Sequence, residues 1–249
     1  HASRGGGGSD RGILFAFSGT SRKRMRAEGL LALKRLGYEG KGDVTVISDG
    51  EDCLKRLKSA LPQPATHILD WFHIAMKLRP IEQTAGWLAR RLPPNEREEL
   101  LEDIAAVRWR LWNGQTDRAI DLIGRLFQDL KADEQGSSAI APLRGGLLNL
   151  RIYIEQNRGS ITNYGARYRE GRRIASTAAE ANVNNLVARR MVKKQQMRWS
   201  VRGANLLLQV RVALANGDLA ERLAYRPPVQ PSQTIISPFV PLPLFQRAA

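Results

Sequence analysis

Hydrophobic positions along this chain follow two patterns. Up to about residue 79 they come as short apolar runs separated by polar or glycine-containing stretches, and beyond Pro80 they recur at helical spacing. The run 13–17, with Phe15 and Phe17, predicts a strand. Thr20 or Ser21 would cap a helix through about Leu36. Leu30, Leu31, Leu33 and Leu36 would share its buried face, and Gly37, Gly40 and Gly42 would end it. Val44–Ser48 is rich in β-branched residues and reads as a buried strand ending at Asp49. Gly50 supplies a turn, residues 51–61 a helix with Leu54, Leu57 and Leu61 on one side, and Pro62 and Pro64 its end. Residues 66–69 form the next strand, after which Asp70 opens a helix through about Leu78. Strand and helix alternating three times predict an α/β unit whose last two strands run parallel.

The second pattern predicts helices over 81–92, 95–113, 115–133 and 140–158. Pro93 with Pro94, Asn113 with Gly114, and residues 135–138 are the expected breaks. Trp87, Trp109 and Trp112 read as apolar anchors of this block rather than as base-stacking platforms. Residues 158–173 then read as a basic loop in which Tyr164 and Tyr168 interleave with arginines, a composition suited to backbone and stacking contacts with nucleic acid. A long helix is expected over 174–198, with Val183, Leu186, Val187 and Met191 on its buried stripe. Another starts at Trp199 and Ser200 and runs through about Ala215, with Trp199 packing rather than contacting DNA. From Tyr225 a Pro-rich tail follows.

Charge changes this picture more than composition does. The apolar share, 43%, is ordinary for a globular chain of 249 residues, but the net charge is +15. It is distributed as +6 over residues 1–79, −3 over 80–143 and +11 over 144–226, with Arg247 supplying the last charge. An arginine-rich segment of that sign suits a polyanion, DNA above all, because the guanidinium fork matches phosphate geometry. The candidate contacts are Arg167, Arg169, Arg172 and Arg173 in the loop and Arg189, Arg190, Lys193, Lys194 and Arg198 on the long helix. Cys53 is the single cysteine, which excludes an intrachain disulfide and a cysteine-based metal site. No apolar run approaches 18 residues and no signal peptide is visible, so a cytoplasmic protein without a membrane span is expected. The first residue is His1 rather than Met, which suggests that the native start lies upstream.

The candidate chemistry is acidic. Asp49 and Asp70 each follow a short strand, and Glu180 lies 131 residues beyond Asp49 in an alanine-rich segment that permits close approach to a sheet edge. Carboxylates converging there would supply hard oxygen ligands to Mg²⁺ or Mn²⁺. His73 lies one helical turn beyond Asp70, so the two can face the same way. It reads either as a satisfied core histidine or as a phosphate contact, and His67, within a strand, reads as structural.

The stretches VISDGEDCLKRL, ILDWFHIAMKL and IASTAAEANVNNLVARRMVKKQQMRWSVRGANLLLQVR resemble bacterial insertion-sequence transposases of the DDE type. The resemblance is to the Mutator-like branch and covers most of residues 13–226. It implies a partial RNase H-like α/β core with a large all-helical insertion, helix-rich overall. It makes Asp49 the second catalytic acid and Glu180 the third, both metal ligands. Asp70 and His73 would form the C/D-x-x-H motif beside the metals. A triad of Asp49, Asp70 and Glu180 is the alternative assignment. The first acid and the first two strands would lie before His1, which would leave this chain with little activity alone. The organisation implied is a Gly-rich lead over 1–12, the partial core over 13–79, and the helical insertion with its basic loop over 80–172. Helices of the core carrying Glu180 would occupy 173–224, and the tail 225–249. The expected function is metal-dependent cleavage and strand transfer of transposon ends. A non-catalytic DNA-binding relic or regulator and a free-standing RNase H-like nuclease are the alternatives. Transposon-end and target DNA, and a second copy of the chain, are the expected partners, in a bacterial nucleoid-associated setting.

Overall fold

The computed structural model describes residues 2–3, 12–16, 21–50, 65–132, 140–177, 186–187 and 199–224. The described chain is rich in helix, with one small parallel sheet and a two-residue antiparallel pairing. That pairing joins β1 (Ala2–Ser3) to β2 (Gly12–Ile13). The strand expected over 13–17 therefore stops at Ile13. The backbone beyond it finds other partners. Leu14 N donates to Asn216 Oδ1 and Asn216 Nδ2 donates to Leu14 O, both at 2.8 Å, and Gln209 Nε2 donates to Ala16 O. Two amide side chains of a distant helix satisfy groups that a sheet ladder would otherwise take.

Helix α1 (Arg22–Arg35) begins where expected, with the Ser21 hydroxyl accepting from Arg24 N. It ends in a left-handed turn at Gly37, φ 86°, where Tyr38 N donates to Leu33 O and Gly37 N to Lys34 O. Its buried face is set by Ala32, whereas Leu31 is 55% exposed, against expectation. Strands β3 (Val44–Ser48) and β4 (Ala65–Leu69) pair in parallel, with Val44 opposite Ala65 and Ser48 opposite Leu69.

Four helices follow: α2 (Trp71–Ala89), α3 (Pro94–Trp112), α4 (Thr116–Ala132) and α5 (Ile140–Gln156). Each packs on its neighbour in sequence, and α5 closes the ring against α2. The core between them is an apolar stripe from every helix: Ile74, Leu78, Ile81, Ala85 and Leu88 on α2 meet residues such as Ile104, Leu111, Ile123 and Leu147. Glu82 and Arg108 tie α2 to α3 through a two-pronged pair at 2.5 and 2.9 Å. Trp112 packs against this core as expected, but Trp87 and Trp109 are 42% and 59% exposed. Both fall on the outer sides of their helices, where an aromatic ring contributes little to the core.

The break expected near residue 80 does not occur, because α2 runs through Pro80. A proline there removes the donor that would bond the carbonyl of Met76, and both residues are exposed, so water can serve in its place. Pro80→Ala should therefore stabilise the protein by about 1–3 kcal/mol, through regained helix propensity and a restored hydrogen bond. Urea unfolding of the two proteins checks this; an unchanged or lower midpoint would refute it.

Beyond α5 come a single 3-10 turn (Arg158–Ser160), α6 (Tyr164–Arg169), α7 (Val201–Asn216) and α8 (Leu219–Ala224). Residues 158–173 are thus largely ordered into turns of helix rather than forming the expected open loop. Residues 172–176 are not helical, so the helix expected from Ile174 does not begin there. Helix α7 starts at Val201 with the Ser200 hydroxyl accepting from Gly203 N, close to the expected start. Most of 174–198, the helix expected over 51–61 and the tail lie outside the described residues.

Candidate active site

The parallel register places the two strand-end acids side by side. Ser48 pairs with Leu69, so Asp49 and Asp70 leave adjacent strands at the same C-terminal edge, and Asp70 N donates to Ser48 O at 2.8 Å. Neighbouring strands lie about 4.8 Å apart, and the carboxyl edge of a parallel sheet is where α/β folds place ligands.

The two acids have unequal surroundings. Asp70 is fully buried and caps α2. Its Oδ1 accepts from Phe72 N at 2.8 Å. Its Oδ2 accepts from Ser176 N at 3.1 Å, from the Ser176 hydroxyl, and faces His73 Nδ1 at 3.3 Å. Both oxygens are thus engaged by protein donors. Asp49 is only half-buried, and its backbone carbonyl, not its carboxylate, accepts the Tyr153 hydroxyl at 2.8 Å.

Residues 153–176 are bound to this edge at five places. Tyr153 OH donates to Asp49 O, and Tyr164 OH donates to Leu69 O at 2.9 Å. His67 is buried between Ser48 Oγ (2.8 Å to Nε2) and Ser160 Oγ (2.7 Å to Nδ1). A neutral imidazole has one donor and one acceptor nitrogen, so one hydroxyl donates to the ring and the other accepts from it. Trp71 N donates to Ile174 O at 3.0 Å, and Ser176 reaches Asp70 as described. Burial pushes the Tyr153 phenol up, and the Asp49 and Asp70 carboxylates push it further in the same direction. Tyr164 is likewise raised, first by burial and then by Tyr153 and Asp70. Both therefore remain protonated donors at neutral pH. Tyr164, expected in a nucleic-acid-facing loop, is instead wholly buried, with its ring 5.0 Å from that of Trp71.

Of the expected DNA-contacting arginines, Arg169 and Arg172 are exposed, with Arg172 Nη1 3.5 Å from Glu170. Arg167 and Arg173 are half-buried, and Arg167 Nη2 donates to Arg173 O at 3.4 Å. Their Nε atoms are buried without a hydrogen-bond partner among the described residues. Burial lowers the Arg167 pKa from its usual value, with the like charge of Arg172 acting in the same direction. Glu180, Arg189, Arg190, Lys193, Lys194 and Arg198 lie outside the described residues. Among the described residues no group of three or more His, Cys, Asp and Glu is placed to hold a metal ion. No helix among them is long and apolar enough to cross a membrane.

Three participants were missed in the sequence. Tyr153 reads there as one more residue of an amphipathic helix. Ser176 lies 106 positions from the carboxylate that it meets. Lys77, with Nζ 4.4 Å from the centre of the Tyr153 ring, reads as a solvated charge. For Lys77, spacing of four from His73 on one helix was the available clue.

Comparison with protein-family models, curated proteins and solved structures found no match to this chain.

Proposed function

We propose that this chain is the catalytic region of a DNA transposase of the DDE type, built on a partial RNase H-like core. In this reading Asp49 and Glu180 hold Mg²⁺ or Mn²⁺, and transposon-end and target DNA are the substrates. One observation carries it. The four-helix block leaves the strand edge at Trp71 and returns to it at Ile174 and Ser176, where exit and entry are hydrogen-bonded to each other. That is how a helical insertion between the second acid and the catalytic Glu would be joined to a core. Thr177 is three residues before Glu180 in sequence, a length of chain that spans at most about 11 Å.

The donor chemistry agrees with this assignment. Asp49 offers a hard oxygen ligand of the kind Mg²⁺ takes. Asp70, whose oxygens already accept from Phe72 and Ser176, fits a supporting position better than a ligand position, which disfavours the triad of Asp49, Asp70 and Glu180. His73, oriented against Asp70, is half-buried and would contact the scissile strand. When bound, a metal pair would activate the attacking hydroxyl or water and stabilise the departing oxygen. Asp49 would orient the metals, and the exposed Arg169 and Arg172 would take phosphates of the same DNA.

Calorimetric titration with Mn²⁺ tests the reading on the intact chain. Asp49→Ala and Glu180→Ala should each weaken Mn²⁺ binding by at least ~10-fold, roughly the loss of a charged ligand. Equal affinity in wild type and both variants would sink the assignment.

A further inference from the structure

Building on the reading of Asp49 as a metal-holding acid, we propose that Tyr153 is a positioning residue of that site. Its hydroxyl sets the Asp49 turn and its ring seats Lys77 beside it. The helical bundle thereby controls the geometry of the acid edge and does more than separate the acids in sequence.

The contacts converge on one turn of chain. Tyr153 OH donates to Asp49 O at 2.8 Å. Just past the end of α5, Asn157 Nδ2 donates to Tyr153 O at 2.8 Å, and Asn157 Oδ1 lies against Gly50. The end of α5 thus bonds Asp49 through Tyr153, and the residue after the helix packs on Gly50. The opposite attachment is to α2. Lys77 Nζ sits 4.4 Å from the Tyr153 ring centre, and Lys77 follows by one turn His73, which faces Asp70. One aromatic side chain therefore touches the Asp49 turn and the helix that Asp70 caps.

Tyr164 is the natural comparison. It donates to Leu69 O at the end of the neighbouring strand, and it is wholly buried in the bundle core. Losing its hydroxyl removes the same kind of hydrogen bond without touching the Asp49 turn.

The test uses the full chain with Tyr153→Phe, Tyr164→Phe and Asp49→Ala. Its readouts are Mn²⁺ titration, thermal unfolding and amide hydrogen exchange at Gly50. The Gly50 N–H donates to Ser48 Oγ at 3.3 Å and so reports on the turn. Tyr153→Phe should weaken Mn²⁺ binding about three- to ten-fold, the range for one lost neutral hydrogen bond, and speed exchange at Gly50. Tyr164→Phe should lower the melting temperature to a similar extent yet leave Mn²⁺ affinity at the wild-type value. Unchanged Mn²⁺ affinity in Tyr153→Phe, with binding lost in Asp49→Ala, would overturn the inference and leave the assignment of Asp49 intact. Wild-type affinity in Asp49→Ala would overturn that assignment and the metal-directed role of Tyr153 together. Unchanged Gly50 exchange in Tyr153→Phe would overturn the tether itself.

Discussion

Asp70→Ala should destabilise the protein by about 3–5 kcal/mol, the largest loss expected from any single side chain at the acid edge. The residue is fully buried. Its carboxylate caps α2 through Phe72 N, a contact worth about 1 kcal/mol. It also accepts from Ser176 N and the Ser176 hydroxyl, and hydrogen bonds to an ionised acceptor contribute about 1.5–3 kcal/mol each. These terms do not add fully, since they share one group. Alanine would leave the Ser176 donors without their acceptor, so that residues 174–177 keep the bond of Ile174 O to Trp71 N at the entrance to the bundle. Asp70→Asn should cost less, about 2 kcal/mol, because one oxygen remains while the new NH₂ opposes a donor. Urea unfolding followed by circular dichroism gives both values. A loss below about 1 kcal/mol for Asp70→Ala would show that these three contacts do not act together.

Gly50→Ala should cost about 2–4 kcal/mol. Gly50 has φ 98°, a conformation that side chains rarely adopt. An added Cβ would stand 2.5 Å from Asn157 Oδ1 and 3.0 Å from Leu69 Cδ1. Neither neighbour can retreat easily: Asn157 is 5% exposed and bonded to Tyr153 O, and Leu69 lies in the core. The strain and the displaced amide therefore combine. A double-mutant cycle with Asn157→Ala separates out the amide, because truncating Asn157 removes the closer clash and leaves the backbone strain and the Leu69 contact. Thermal unfolding of the four proteins should show that Gly50→Ala costs less on the Asn157→Ala background. Equal cost on both backgrounds would assign the effect to φ and Leu69 and none of it to Asn157.

The unequal fates of Asp49 and Asp70 illustrate how far sequence reading reaches. Both stand after short apolar runs, so both are legible as strand-end acids, and the parallel pairing of those strands is legible as well. Locally they differ only in that Asp70 caps the helix that follows it. The larger distinction comes from Ser176, which folds back across the whole helical block to occupy Asp70, while Tyr153 takes the backbone carbonyl of Asp49. The tryptophans make the same point. Periodicity identifies the helices that carry Trp87 and Trp109, but exposure depends on which side of each helix its neighbours cover. Residues 14–16 fail for a related reason: β propensity is satisfied only where another strand supplies partners, and here Asn216 and Gln209 supply them to Leu14 and Ala16 instead.

By itself the sequence determines the local features of this protein. Ser21, Asp70 and Ser200 cap helices through their own side chains, Gly37 ends α1, and apolar spacing sets the bundle stripes. These follow from short-range sterics and hydrogen bonding, which act within a few residues. Only the tertiary structure decides how the acid edge is held: Tyr153 on Asp49, His67 between two serines, and Ser176 on Asp70. Each joins groups 19 to 106 positions apart. Such pairings exist only after packing has brought the segments together, and no local pattern of residues encodes them.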